Sequence, residues 1–218
     1  MRVLAIGDIH GCLNALTAVF QAAGVRDEDV VVTLGDYVDR GSESRGVLDW
    51  LIGFARRGSL IAIRGNHDLM MMRAREGGSE TSEWLDCGGD AALASYGGRL
   101  DLVPSAHWKF LEATRLWHAT DTHFFVHANA YMDCDLDDQP EFMLLWEKYD
   151  GRGPHVSGKT MVCGHTPQRS GRPRDFGHAI CIDTGACKGG WLTCLDVRTG
   201  RYWQANELRE VRDGSLGD

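Results

Sequence analysis

Short apolar runs alternate along the chain with glycine-bearing polar turns, and the spacing within each run says whether it is a strand or a helix. Residues 2–6, 30–34 and 60–63 are brief and rich in β-branched side chains, and a glycine follows each within a residue or two, the pattern of buried strands. Leu13, Leu16, Val19, Phe20 and Ala23 recur on one helical face that stops at Gly24. Val47, Leu48, Leu51 and Phe54 repeat the pattern and end near Arg56-Arg57-Gly58, with cations in the last turn. Repeated strand–loop–helix order predicts parallel pairing through right-handed crossovers. The periodicity weakens over 69–98, where two helical segments, 69–75 and 91–96, flank Gly88-Gly89, and this stretch is expected to form a cap beside the strand ends. Residues 104–113 read as a helix with proline in its first turn.

Beyond that helix the period changes to two. Residues 115–119 and 122–126 predict a hairpin around Thr120-Asp121, and a helix follows near 140–147. Strands are expected at 160–163 and 179–182, and a closing hairpin at 191–196 and 200–204 turns around Arg198-Thr199. The second half is therefore expected to be mainly antiparallel. The predicted class is α/β, with two packed mixed β-sheets flanked by helices. No linker composition interrupts residues 1–218, so one domain is expected.

Composition narrows the function classes. A formal charge of −8 disfavours a protein that holds nucleic acid by bulk electrostatics. No run approaches the roughly 20 apolar residues of a membrane span, so no membrane role is expected. The first apolar segment is broken by Asp8 and His10, unlike a signal peptide, and the 7 cysteines form no CxxC pair; both features point to reduced thiols and a cytoplasmic location.

The chemistry gathers just past the strand ends. Asp8, His10, Asp36, Asn66, His127 and His165 each follow a predicted strand, and ligands of open α/β sheets collect beyond the carboxyl ends of strands. Mixed carboxylate, amide and imidazole donors suit borderline divalent ions such as manganese, iron or zinc. Six donors exceed the needs of one catalytic ion that keeps an open position, and they suit two ions sharing Asp36. A neutral amide ligand, Asn66, limits negative charge where an anionic substrate must land.

Gly7-Asp8-Ile9-His10-Gly11, Gly35-Asp36-Tyr37-Val38-Asp39-Arg40-Gly41 and Arg64-Gly65-Asn66-His67-Asp68 resemble the three signature blocks of the phosphoprotein phosphatase family, a branch of the calcineurin-like metallophosphoesterases. Val126-His127-Ala128 and Gly164-His165-Thr166-Pro167 match its remaining histidine blocks, and Asp183-Thr184-Gly185 resembles the tail of compact bacterial members. The resemblance implies a four-layer sandwich. It places Asp8, His10 and Asp36 on one metal and Asp36, Asn66, His127 and His165 on the other, with manganese the first choice. It further implies His67 as general acid, Asp39 as its carboxylate partner, and Arg40 and Asn66 at the substrate phosphate. A family arginine is expected after Leu144-Leu145-Trp146-Glu147, where this chain has Lys148, a point charge without the bidentate fork.

The implied reaction is hydrolysis of a phosphomonoester by direct attack of a metal-bridging hydroxide, with phosphoserine or phosphothreonine in proteins as substrate. Asp39 favours that reading over the alternative, a symmetrical dinucleoside tetraphosphatase hydrolysing diadenosine tetraphosphate, whereas Asp68 leans toward the alternative. A more distant alternative is a non-catalytic scaffold of the same fold, against which the complete donor set argues. Trp84 and Tyr96 are expected to be packing residues rather than base-stacking ones.

Overall fold

A computed structural model describes residues 1–217. The chain opens with β1 (Val3–Ile6), α1 (Leu13–Ala22), β2 (Val30–Thr33), α2 (Ser44–Ala55) and β3 (Ser59–Ala62). These strands pair in parallel, Val3 opposite Val30 and Val30 opposite Ser59, as the repeated strand–helix order predicts. Helices α3 (Asn66–Arg73), α4 (Ser79–Trp84), α5 (Asp90–Ser95) and α6 (Ser105–Glu112) follow without an intervening strand. Gly88, with φ +102°, breaks the helical path between α4 and α5 in a conformation that side chains rarely adopt.

The rest of the chain is β4 (Trp117–Ala119), β5 (His123–Val126), α7 (Glu141–Trp146), β6 (Thr160–Cys163), β7 (Arg174–Asp175), β8 (Ala179–Cys181), β9 (Leu192–Asp196), β10 (Arg201–Ala205) and β11 (Val211–Ser215). They complete one sheet in the order β11-β10-β9-β1-β2-β3 and build a second in the order β4-β5-β6-β8-β7. The expected hairpins β4–β5 and β9–β10 form. The second half is mainly antiparallel, as expected, but β5, β6 and β8 run parallel to one another at the centre of the second sheet. The connections from β5 to β6 and from β6 to β8 are long enough to return the chain to the same end of the sheet, which is what parallel pairing requires. Alternation along a single strand carries no record of its neighbour's direction.

Three elements lacked a sequence signal: α4, β7 and the edge strand β11. The last alternates exposed and half-buried positions around Arg212, Asp213 and Gly214, a polar edge that resists pairing with another chain.

Alternate residues of each strand serve different layers. Ala5, Val32 and Ile63 meet Phe125, Val162, Ile180 and Ile182 between the sheets. Leu4, Ile6 and Val31 face the other way, onto Leu16, Val19, Leu48 and Leu51 of α1 and α2. Phe124, Val126, Met161 and Cys163 are covered by Leu144 and Tyr149. Strands buried on both faces read as continuous apolar runs, so these segments were conspicuous in the sequence. Because β1, β2 and β3 run together, as do β5, β6 and β8, the loops after them emerge on one edge of the double sheet. No helix among the described residues is long and apolar enough to cross a membrane.

Candidate active site

The loops beyond these strands are tightly bent and tied to one another. His10, Asp36, Asp39, Arg40 and His165 all have positive φ, between +46° and +72°, and among the described residues the only other non-glycine to do so is Arg209. Left-handed backbone at residues with a Cβ costs about 1–3 kcal/mol each and persists where surrounding bonds over-determine it. Here Asp36 O accepts from Ile9 N and His10 N at 3.1 and 2.7 Å, and Gly41 N donates back to His10 O at 3.0 Å. The buried Asp68 carboxylate ties the second loop to the third: it accepts from Asp36 N and Tyr37 N, both at 2.9 Å, and from Gly65 N at 2.8 Å. Gly65 must be glycine, since any side chain there would run into the Asp36 carboxylate and backbone, and Gly164 stands in the same relation to Asp8.

Inside these loops the donor groups aim at one another. His127 donates through Nδ1 to Leu34 O at 2.8 Å, and His165 donates through Nε2 to Trp146 O at 3.0 Å. That fixes both tautomers and leaves lone pairs on His127 Nε2 and His165 Nδ1. These two nitrogens lie 3.1 Å apart, and Asn66 Oδ1 lies 3.0 and 3.1 Å from them. Three acceptors converge with no proton to share, and Asp36 Oδ1 adds a carboxylate oxygen 3.5 Å from His127 Nε2. A cation is what such a set binds. Asp36, His127 and His165 form one potential ligand group, and His10, Asp36 and His67 form a second that shares the same aspartate.

His10 is oriented alike, with Nδ1 donating to Val38 O at 2.9 Å and Nε2 lying 3.2 Å from Asp36 Oδ2. Backbone carbonyls as partners for the far ring nitrogen are a recurrent support for metal-binding imidazoles. Burial and then the charges of Asp183 and Asp36 push the Asp8 carboxyl well above its ordinary range, and burial also raises Asp183. Burial opposes ionisation of Asp36 too, but His127, His67 and His10 outweigh it and hold that carboxyl well below its ordinary range. A pocket with this surplus of buried negative charge and lone pairs fits divalent cations.

Beside the donors sits a hydrogen-bonded chain. Asp39, fully buried, accepts from His67 Nδ1 at 2.7 Å, and Trp84 Nε1 donates to both Asp39 oxygens at 2.9 and 3.0 Å. Burial raises the Asp39 carboxyl despite these bonds. The Arg40 guanidinium spans two imidazoles, meeting His10 Nε2 and His67 Nε2 at 2.7 Å each, while Arg40 N donates to Gly88 O at 2.9 Å.

The structure thus gathers His10, Asp36, Asn66, His127, His165, His67, Asp39 and Arg40 in one pocket. Asp8 lies at its wall, where both carboxylate oxygens are 3.1 Å from His165 N, outside the two ligand groups. Lys148 is exposed on the rim near His165. Sequence reasoning did not anticipate the clamp made by Asp68, the charge of Asp183 beside Asp8, or the bond from Trp84. Asp68 and Asp183 occur inside recognised motifs, so their positions were visible while their partners were not. Trp84 packs as expected, but also donates to Asp39.

A model of the calcineurin-like phosphoesterase family matches residues 1–190. The chain is 32% identical over 209 residues to serine/threonine-protein phosphatase 1 of Salmonella typhimurium (strain LT2), covering 90% of this chain and 92% of the relative. It is 29% identical over 223 residues to the asymmetrical bis(5'-nucleosyl)-tetraphosphatase PrpE of Bacillus subtilis (strain 168), covering 86% and 87%. A solved protein serine/threonine phosphatase from Saccharomyces cerevisiae superposes with a TM-score of 0.65 at 16% identity, over 90% of this chain and 73% of that one, a likeness of fold.

Asp36→Asn is expected to lower the bound metal at both positions, measured as ions per chain by elemental analysis of protein reconstituted with manganese. Retention of two ions per chain would exclude Asp36 as the shared ligand. A second expectation concerns acid. Burial lowers the His127 imidazole from 6.5 to about 4 in the metal-free fold. Stability tied to its neutral form is present above pH 6.5 and lost as pH falls through about 4, a span worth roughly 3 kcal/mol. The stability advantage of chelator-treated wild type over His127→Gln should therefore shrink by up to that amount between pH 7 and 4 in urea unfolding. An advantage that stays constant over this range would show that the folded state leaves His127 free to protonate.

Proposed function

The chain belongs to the calcineurin-like phosphoesterase family and is a metal-dependent phosphoric ester hydrolase, and from that premise we propose that it uses two divalent ions to hydrolyse phosphoserine and phosphothreonine in polypeptides. The ions, manganese by preference with iron or zinc as alternatives, would be held by Asp8, His10 and Asp36 on one side and by Asp36, Asn66, His127 and His165 on the other. When bound, such ions acidify a water enough to make it nucleophilic near neutral pH and neutralise charge on the phosphoryl oxygens.

The remaining roles fall to this chain's side chains. Arg40 offers two N–H groups side by side, now directed at His10 and His67. A phosphate with its paired oxygens fits that fork, so Arg40 orients the phosphoryl group, with Asn66 and the rim cation Lys148 contributing. His67 has its Nδ1 committed to Asp39, which leaves Nε2 as the atom that delivers a proton to the leaving oxygen. Asp39, gripped by Trp84 through both oxygens, keeps the imidazole in that orientation. The 69–98 segment serves as a cap, since it supplies Trp84 to Asp39 and the Gly88 carbonyl to Arg40.

The buried Asp39–His67 pair carries the choice of substrate. A serine or threonine alkoxide is a strongly basic leaving group and needs a positioned acid, whereas a nucleotide leaves as a weak base. The second reading, hydrolysis of a dinucleoside tetraphosphate, is supported by relatives named for that activity, which are named as asymmetrical rather than the symmetrical enzymes of the alternative weighed from the sequence.

His67→Asn is expected to keep its metals and to lose about 10²–10⁴-fold in kcat on alkyl phosphates, with a much smaller loss on p-nitrophenyl phosphate, whose leaving group needs no acid. Trp84→Phe should show the same dependence on leaving group at smaller amplitude. Equal losses on both substrates would remove the acid role. Initial rates on a phosphoserine peptide and on diadenosine tetraphosphate, measured on the manganese-loaded protein, separate the two readings. Faster turnover of the dinucleotide would overturn the first.

A further inference from the structure

Beside the donor pocket lies a second concavity of about 480 Å³, whose lining includes Lys148, Thr166, Gln168, Arg169, Thr184 and Lys188. Its floor is made of the loops that carry His165 and Asp183: Gln168 N donates to Asp183 O at 2.9 Å, and Gly185 N donates to Asp183 Oδ1 at 3.0 Å. It therefore adjoins the site, since it is built on the residues that directly follow His165 and Asp183. Lys148 stands two residues beyond Trp146, whose carbonyl meets His165 Nε2 at 3.0 Å, and Lys188 N donates to Gly185 O at 2.9 Å, so both cations sit on segments tied to the site loops.

The lining carries one sign of charge. The chain has 31 acidic against 23 basic residues, and about half of its arginines are taken up elsewhere: Arg2, Arg26, Arg45, Arg57, Arg73, Arg75, Arg99, Arg152 and Arg201 each meet a carboxylate. No aspartate or glutamate lines this groove. Among the described residues Lys148, Arg169 and Lys188 make no ion pair, and all three are exposed. Cations that converge without partners in an acidic protein raise the local concentration of anions. The lining also lacks any aromatic ring, the usual platform for a nucleobase.

We propose that the groove formed by Lys148, Arg169 and Lys188 receives an acidic flank of a polypeptide substrate, carboxylates or a second phosphate next to the phosphoserine being hydrolysed. The proposal rests on the phosphoprotein reading and gives that substrate a sequence preference. Arg169 and Lys188 supply the selectivity through charge at the groove, and take no part in the chemistry at phosphorus. Such rim contacts act on capture and are weakened by salt.

The test uses the manganese-loaded full chain and three substrates: p-nitrophenyl phosphate, a phosphoserine peptide with neutral flanks, and one with aspartate and glutamate flanks. Wild type should show roughly tenfold higher kcat/KM on the acidic peptide than on the neutral one, expressed in KM and shrinking between 50 and 300 mM salt, order-of-magnitude figures for a few exposed charge contacts. Arg169→Ala/Lys188→Ala should abolish that preference while leaving p-nitrophenyl phosphate turnover unchanged. Equal kcat/KM on the two peptides, or a preference that survives the double variant, overturns the proposal.

Binding of the same acidic peptide with its serine unphosphorylated, followed by fluorescence anisotropy, tests the groove without turnover. Tighter binding to wild type than to the double variant supports it; equal binding overturns it. Absence of any phosphopeptide hydrolysis with that binding intact would fault the phosphatase reading alone. Diadenosine tetraphosphate turnover that exceeds both peptides and falls in the double variant would reassign the groove to a polyphosphate chain and overturn the peptide assignment.

Discussion

Three lone pairs, on Asn66 Oδ1, His127 Nε2 and His165 Nδ1, lie within about 3 Å of each other with Asp36 at their side. Such a grouping is repulsive in a protein interior unless a cation joins it, because none of the atoms has a proton to offer the others. The surrounding architecture makes sense as the means of holding that grouping together. Backbone carbonyls of Leu34, Trp146 and Val38 take the outer ring N–H of each imidazole and leave a lone pair on the inner nitrogen, which at His10 meets Arg40.

The cost of this convergence is spread over the loops. Positive φ at His10, Asp36, Asp39, Arg40 and His165 turns each side chain inward more sharply than ordinary backbone allows. The strain is opposed by cross-loop bonds: the Asp36 carbonyl to the first loop, Asp68 to the second and third, and Asp8 to the His165 amide. Strands β1, β2 and β6, buried over most of their length, anchor the loops that carry His10, Asp36 and His165. A site of this kind is preorganised, so little reorganisation is left for the moment of reaction.

The second half of the pocket shows how a fold completes neighbouring side chains from a distant segment. Asp39 and Arg40 are adjacent on one loop, yet each is completed by α4 or the turn after it, through Trp84 and Gly88. An indole that fills a core position and donates from its N–H combines packing with orientation. The segment between α3 and α6 thus ties Asp39 and Arg40 to the same wall of the pocket. The cationic groove lies beside that pocket, on the loops that follow His165 and Asp183.

The strands, the first helices and the placing of Asp8, His10, Asp36, Asn66, His127 and His165 at strand tips were legible in the sequence because each is a local event: an apolar run, a glycine, then a polar residue. Donor chemistry suggested two cations sharing Asp36, and the structure gathers two potential ligand groups that have that aspartate in common. What lay beyond the sequence was pairing between distant segments. The direction of β5, β6 and β8, the edge strand β11, the bond from Trp84 to Asp39 across 45 positions, and the three-way clamp of Asp68 depend on contacts that no period or motif records. Side-chain chemistry is written residue by residue, but which lone pairs meet, and which cations are left without a carboxylate, is decided only when the two sheets close over their common core.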